Sequence, residues 1–173
     1  RSMANTKQVK AVNPLIQGLP STDGFDSGDG VSLFNTAHTT IAGSFKNTLT
    51  TQADLNETSL EQSLIDIAAM TDERGLKIAA RGVKMIVPSE LQFTAERLMK
   101  SQGRTGTADN DVNAIASMGM VPQGYRVNNF LTDTDAFYII TDVPNGMKYF
   151  ERAPIITKME GDFDTGNVRY KAR

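Results

Sequence analysis

Acidic side chains set among glycines, a single histidine and a run of mixed charges are the chemically versatile groups of this chain. Asp23-Gly24-Phe25-Asp26-Ser27-Gly28-Asp29-Gly30 gathers carboxylates in a glycine-rich stretch, the oxygen donors that a hard cation such as calcium takes. The EF-hand spacing is absent and no Glu follows at the bidentate position, so the stretch reads as a solvated turn. Gly161-Asp162-Phe163-Asp164-Thr165-Gly166-Asn167-Val168 has the glycine spacing of a phosphate loop. It lacks the Lys and the Ser or Thr that contact phosphate and magnesium, and its carboxylates would repel phosphate. His38 is the single imidazole. Neither a Gly-x-Ser-x-Gly elbow nor a Ser-x-x-Lys pairing supplies it with a nucleophile, so it reads as a structural or surface residue and not a general base. Asn56-Glu57-Thr58 matches a glycosylation acceptor, but with no secretory signal the match is chance.

Composition narrows the field further. With no cysteine, disulfides, thiolate nucleophiles and Cys-based metal sites are excluded. No catalytic residue, metal or cofactor is therefore expected, and an unrecognised hydrolase is the less favoured alternative. The 18 basic and 20 acidic residues give a net charge of −2, not the footprint of tight nucleic-acid binding. A protein that merely encloses nucleic acid needs no such footprint. No apolar run approaches the ~18 residues of a membrane span. The opening Arg1-Ser2-Met3 lacks the shape of a signal peptide, so synthesis in the cytoplasm is expected. The 173 residues, 39% hydrophobic and 22% charged, fit one domain or one domain with an extension. The opening Arg and the polar ending Tyr170-Lys171-Ala172-Arg173 read as the ends of an internal stretch of a longer chain.

Two charged stretches invite a contact role. Asp72-Glu73-Arg74 and Arg81 surround Gly75 and Gly82, and read either as a solvated turn or as a subunit-contact loop. Lys158, Glu160, Asp162, Asp164, Arg169, Lys171 and Arg173 carry charges of both signs along the last segment. They read either as an edge strand blunted with charge or as a ribbon that meets complementary charges on a neighbouring copy. The candidate interface residues are thus Asp72, Glu73, Arg74, Arg81, Asp162, Asp164, Arg169, Lys171 and Arg173.

These groups depend on elements that periodicity outlines. Residues 3–13 read as helix through Val9, Val12 and Ile16, with Pro14 expected to end or kink it. Residues 17–54 read as a long loop with a short apolar island at 31–34, of the kind that is functional or stabilised by a partner. Residues 58–70 read as helix with a capping box from Thr58 to Glu61 and a stripe of Leu60, Leu64, Ile67 and Ala68. Val83-Lys84-Met85-Ile86-Val87 reads as a strand stopped by Pro88, with Leu64 and Ile86 in the core. Helices are expected at 89–102 and 112–118, and strands at 126–130, 137–141, 147–151 and 155–158. Pro144-Asn145-Gly146 marks a turn, and 162–173 reads as an exposed ribbon strand of up to ~36 Å. The fold class is α+β.

The order of several segments resembles the major capsid proteins of tailed bacteriophages with the Hong Kong 97 (HK-97) fold, particularly Mu-like head subunits. The segments are Asp29-Gly30-Val31-Ser32-Leu33-Phe34 before His38, Ala53-Asp54-Leu55 through Ser59-Leu60-Glu61-Gln62, and Thr71-Asp72-Glu73-Arg74-Gly75-Leu76-Lys77-Ile78-Ala79. Next come Ile86-Val87-Pro88, Ala95-Glu96-Arg97, Gly106-Thr107-Ala108-Asp109-Asn110-Asp111-Val112-Asn113, Leu131-Thr132-Asp133 and residues 162–173. The resemblance implies that 1–16 end the spine helix of a peripheral (P) domain and that 17–57 are an extended loop region. It implies that 58–147 form an axial (A) domain, helices flanking a small sheet, and that 148–173 return into the P domain. The N-terminal arm, the extended hairpin loop and the final C-terminal stretch of that pattern are missing, and Pro14 sits awkwardly in a spine helix. By the same resemblance the chain is a structural subunit of an icosahedral head. It would assemble with copies of itself into pentamers and hexamers that enclose double-stranded DNA, in the virion capsid. Another phage structural part, such as a connector or tail component, is the alternative.

Overall fold

The computed structural model describes residues 2–18, 27–104, 111–148, 150–161 and 164–172. The chain is a mixed α+β protein. Its centre is a three-stranded sheet of order β4-β3-β5, formed by β3 (Gly82–Val87), β4 (Tyr125–Val127) and β5 (Tyr138–Thr141). β5 runs antiparallel to β3, and β4 runs parallel to it. A parallel neighbour requires a crossover, which α3 (Gln92–Lys100) and α4 (Ala114–Met118) supply. α2 (Glu57–Ala68) precedes β3.

One apolar cluster joins these elements. Leu60 and Leu64 of α2, Met85 and Val87 of β3, Ala95 and Leu98 of α3, and Ile115 of α4 are its buried centre. Half-buried Tyr125 and Ile139 extend it on the flanking strands. Met85 is opposite Ile139 and Tyr125, so the three share the face that meets the helices. Alternation then puts Ile86 on the other face, where it is half-buried beside its partner Tyr138. The core assignment of Leu64 is right, whereas that of Ile86 is corrected: Lys84, two residues earlier on the same parity, was the cue that this face points away from the helices. Tyr138 covers that second face. Its ring lies 5.5 Å from that of Phe34, and its hydroxyl donates to the Leu15 carbonyl at 3.0 Å. α1 (Ser2–Gln17) and the 30s segment are thereby attached to the sheet.

Gly82 lets α2 approach. A Cβ there would lie 2.8 Å from Leu64 Cδ2 and 3.0 Å from Ile139 Cγ2. The ladder slips between Gly82 and Lys84, leaving Val83 as the extra residue of a bulge.

The helix ends depart from expectation in instructive ways. α1 is not ended by Pro14 but runs through it to Gln17. Pro14 removes the one bond its nitrogen would have donated to the Lys10 carbonyl and leaves the turn after it intact, with the Gly18 amide closing on the Pro14 carbonyl at 3.0 Å. α2 starts at Glu57, and its cap is Asn56, not Thr58. Asn56 Oδ1 accepts from the Ser59 amide at 2.8 Å, and Ser59 Oγ accepts from the Asn56 amide at 3.0 Å, a reciprocal box. Thr58 already lies inside the helix, where its hydroxyl cannot cap. Buried Asn113 caps α4 and donates Nδ2 to the Leu98 carbonyl at 2.8 Å, which ties α4 to the end of α3.

Strand extents differ as well. β4 ends at Val127, since Asn128 accepts from the Phe130 amide at 3.0 Å and turns the chain away. No strand forms at 147–151 among the described residues, where Met147 and Phe150 are exposed with no ladder to join. Asn145, at φ 65°, makes the expected turn. The expected strand at 155–158 is shifted to β6 (Thr157–Gly161), which pairs antiparallel with β7 (Val168–Ala172). The segment read as a long loop contains the hairpin β1 (His38–Thr40) and β2 (Gly43–Phe45). It is braced by Asn47, which accepts from the Asn35 amide at 2.8 Å and donates to the Leu33 carbonyl at 2.7 Å. Side-chain hydrogen bonds here substitute for a core.

Candidate assembly surfaces

The β6–β7 ribbon is exposed along its whole length. Its register gives the two faces opposite characters. Thr157, Met159 and Gly161 share one face with Ala172, Tyr170 and Val168, and Met159, Val168 and Tyr170 are 63–70% exposed. The other face pairs Glu160 with Arg169 and sets Lys158 directly opposite Lys171. Opposed like charges weaken a ladder. Of the expected ribbon residues, Arg169 and Lys171 lie on β7 and Asp164 beside it, whereas Asp162 and Arg173 lie outside the described residues. Asp164 and Arg169 each already have an interaction within the chain.

The ribbon's base sits beside α1. Lys7 of α1 forms an ion pair with Glu151 and donates to the Ala153 carbonyl at 3.3 Å. A groove of about 840 Å³ opens between α1 and the segment leading into β6.

The loop carrying Asp72, Glu73 and Arg74 is a tight turn closed by a bridge between Thr71 and Lys77. Asp72 Oδ1 accepts from the Arg74 amide at 2.9 Å and the Leu76 amide at 2.8 Å, and Gly75 takes φ 84° at the bend. The Asp72 carboxylate therefore shapes the loop, while Glu73 and Arg74 are exposed. Arg81 is held elsewhere: its amide donates to Asp142 Oδ1 at 2.8 Å, and its carbonyl accepts from the Asp142 amide at 3.1 Å.

Sequence reasoning missed the tip of the β1–β2 hairpin. The Ala42 amide donates to the Glu73 carbonyl at 3.1 Å, docking the tip on the 71–77 loop. Ile41 is 87% exposed there and Leu76 66%. The available signal was Ile41-Ala42-Gly43 between two short β-prone runs.

His38 shows what the acidic glycine-rich stretch does. Nδ1 lies 2.7 Å from Asp29 Oδ2, while the Ser27 hydroxyl donates to Asp29 Oδ1. The hydroxyl is thus directed to the carboxylate and not to the imidazole, so no nucleophile–base pair is formed. His38 Nε2 is buried without a partner in the described structure. The hydroxyl of Ser27 first, and His38 second, hold the Asp29 carboxyl at about 2. Asp23 and Asp26 lie outside the described residues, and among the described ones no cluster of three metal-ligating side chains occurs. A second carboxylate pair, Asp133 and Asp135, shares a hydrogen bond that lowers the pKa of the first and raises that of the second. No described helix is long and apolar enough to cross a membrane.

Uncovered apolar side chains beside ordered charges, on elements with little core of their own, are the kind of surface that association buries. The chain belongs to the phage capsid protein family, whose model matches residues 1–173. It is a structural phage capsid chain, one that joins other capsid subunits in enclosing a phage genome. No match was found among curated proteins or among solved structures.

Proposed function

We propose that this chain is the shell-building subunit of an icosahedral phage head with an HK-97-like fold, of the Mu-like head subunit type. Copies associate into pentamers and hexamers around double-stranded DNA, which they enclose without reading its sequence. The chain is made in the cytoplasm of the bacterial host and resides in the virion capsid. In this reading α1 is the end of a spine helix, 58–147 are the axial domain, and 148–173 return into the peripheral domain. The contact residues are Glu73, Arg74 and Arg81 on the axial domain and Asp164, Arg169 and Lys171 of the ribbon segment, together with Asp162 and Arg173, which lie outside the described residues, while Asp72 shapes its loop.

The observation that carries this reading is the ribbon. A two-stranded hairpin is marginal alone in water, yet this one leaves Met159, Val168 and Tyr170 uncovered while the family match spans the entire chain. Repeated modest contacts then give a closed shell its stability through multiplicity. The test is electron microscopy with sedimentation velocity on the expressed full-length chain. Closed shells, or rings of five and six, are expected. Monomers at every salt and protein concentration, or rings of another symmetry, refute it.

A further inference from the structure

The groove beside α1 is unusually cationic for a chain of net charge −2. Lys7 and Lys10 line one side, and Arg152, Lys158 and Lys171 the other. Among the described residues, only Lys7 of these has an acidic partner, Glu151. Lys10, Arg152, Lys158 and Lys171 face the groove with no ion pair among the described residues. Lys158 and Lys171 oppose each other across the ribbon, a repulsion that an anion placed between them would relieve. The walls between these charges are apolar: Ala153, Pro154, Ile155 and Ile156, the last 53% exposed.

A cationic rim over apolar walls fits an acidic polypeptide segment with an apolar anchor better than a phosphodiester backbone. Phosphates would satisfy the rim but leave the apolar walls covered by polar groups. A peptide can place an apolar side chain on the walls and its carboxylates at the rim. This chain carries such a segment. The last two residues of β6 and the three that follow them in sequence read Glu160-Gly161-Asp162-Phe163-Asp164, acids alternating with small and aromatic residues. Glu160 and Asp164 are exposed.

We propose that the groove of one copy receives the acidic 160–164 segment of a second copy. The contact joins two different surfaces, so it is head-to-tail and propagates into rings or shells instead of stopping at a dimer. This rests on the reading of the chain as a self-assembling shell subunit, and it adds the pair of surfaces involved.

The test titrates the full-length chain, below its assembly concentration, with a fluorescent peptide of residues 159–168 and follows anisotropy. Binding that weakens with salt is expected, reduced about tenfold or more by Lys158→Glu with Lys171→Glu, and likewise by a peptide whose Asp and Glu are replaced with Asn and Gln. The substituted pair still opposes like charges, but both side chains are exposed on the ribbon and lie outside the buried cluster, so the core should fold as in the parent, and circular dichroism confirms that the loss is one of binding. A Phe163→Ala peptide should also bind more weakly. Absence of peptide binding, or binding unchanged by the groove variant, overturns the proposal. So does a short DNA duplex that occupies the groove when the peptide does not, which makes the ligand a phosphate backbone. Electron microscopy of the unmodified chain is read separately: shells without peptide binding sink the groove and leave the assembly reading standing, while binding without shells does the reverse.

Discussion

Asp29 illustrates how a residue that resembles part of a catalytic or metal site serves to hold a loop. It accepts from the Ser27 hydroxyl and from the Val31 amide, and it faces His38. The carboxyl is held at about 2, below its ordinary 3.8, by the Ser27 hydroxyl and then by His38. A folded-state pKa below the unfolded one means that the ionised carboxylate favours the folded loop. That contribution is complete above 3.8 and is lost as pH falls from 3.8 through about 2. The His38 ring resonances in proton NMR should shift across this window in the parent chain. In Asp29→Asn the transition should be missing; its persistence there would show that another group is responsible. In the sequence this cluster was legible as acidic and glycine-rich, but not its partner, because nothing in spacing brings His38 back onto a residue nine positions earlier.

At the scale of the element, β3 separates what pattern can and cannot tell. The β-branched run and Pro88 marked the strand, yet Met85 and Ile86 look equally apolar, and only Lys84, on the parity of Ile86, hints at which of them faces away from the helices. Met85 is fully buried against the helices, while Ile86 is half-buried beside Tyr138. Met85→Asp buries an unpaired carboxylate and should cost about 3 kcal/mol or more, enough to abolish cooperative folding. Ile86→Asp keeps a route to solvent and should cost about 1–2 kcal/mol. Urea unfolding followed by circular dichroism compares them, and equal losses would contradict the facing assigned to the strand. The helices show a similar division. The apolar stripe of α2 was readable, whereas its true cap, Asn56 with Ser59, was hidden because Ser takes the place usually held by Glu or Gln.

At the scale of the molecule, stability is unevenly spread. The wedge of α2, β3, α3, α4, β4 and β5 shares one buried cluster, while the ribbon contributes nothing to it. Amides exchange according to the cost of local opening. Hydrogen exchange by mass spectrometry should therefore find 82–87 strongly protected, and 157–161 and 168–172 exchanging quickly in the unassembled chain. On assembly the ribbon should gain protection. A ribbon as protected as β3 before assembly would mean that it needs no covering surface.

The sequence alone determined the α+β character, the positions of the central strand and its flanking helices, and the lack of cysteine chemistry, because these follow from local periodicity and composition. It also placed the chain by the order of its segments among capsid-like proteins. Tertiary structure decided the rest. It set which parity of β3 faces the helices, tied Tyr138 to the backbone of α1, used Asp72 to shape a loop, and paired the last two strands so that one face is apolar and the other charged. Each of these depends on contacts between residues far apart in the chain, and the strength of such contacts is fixed by burial and register, which no local pattern carries.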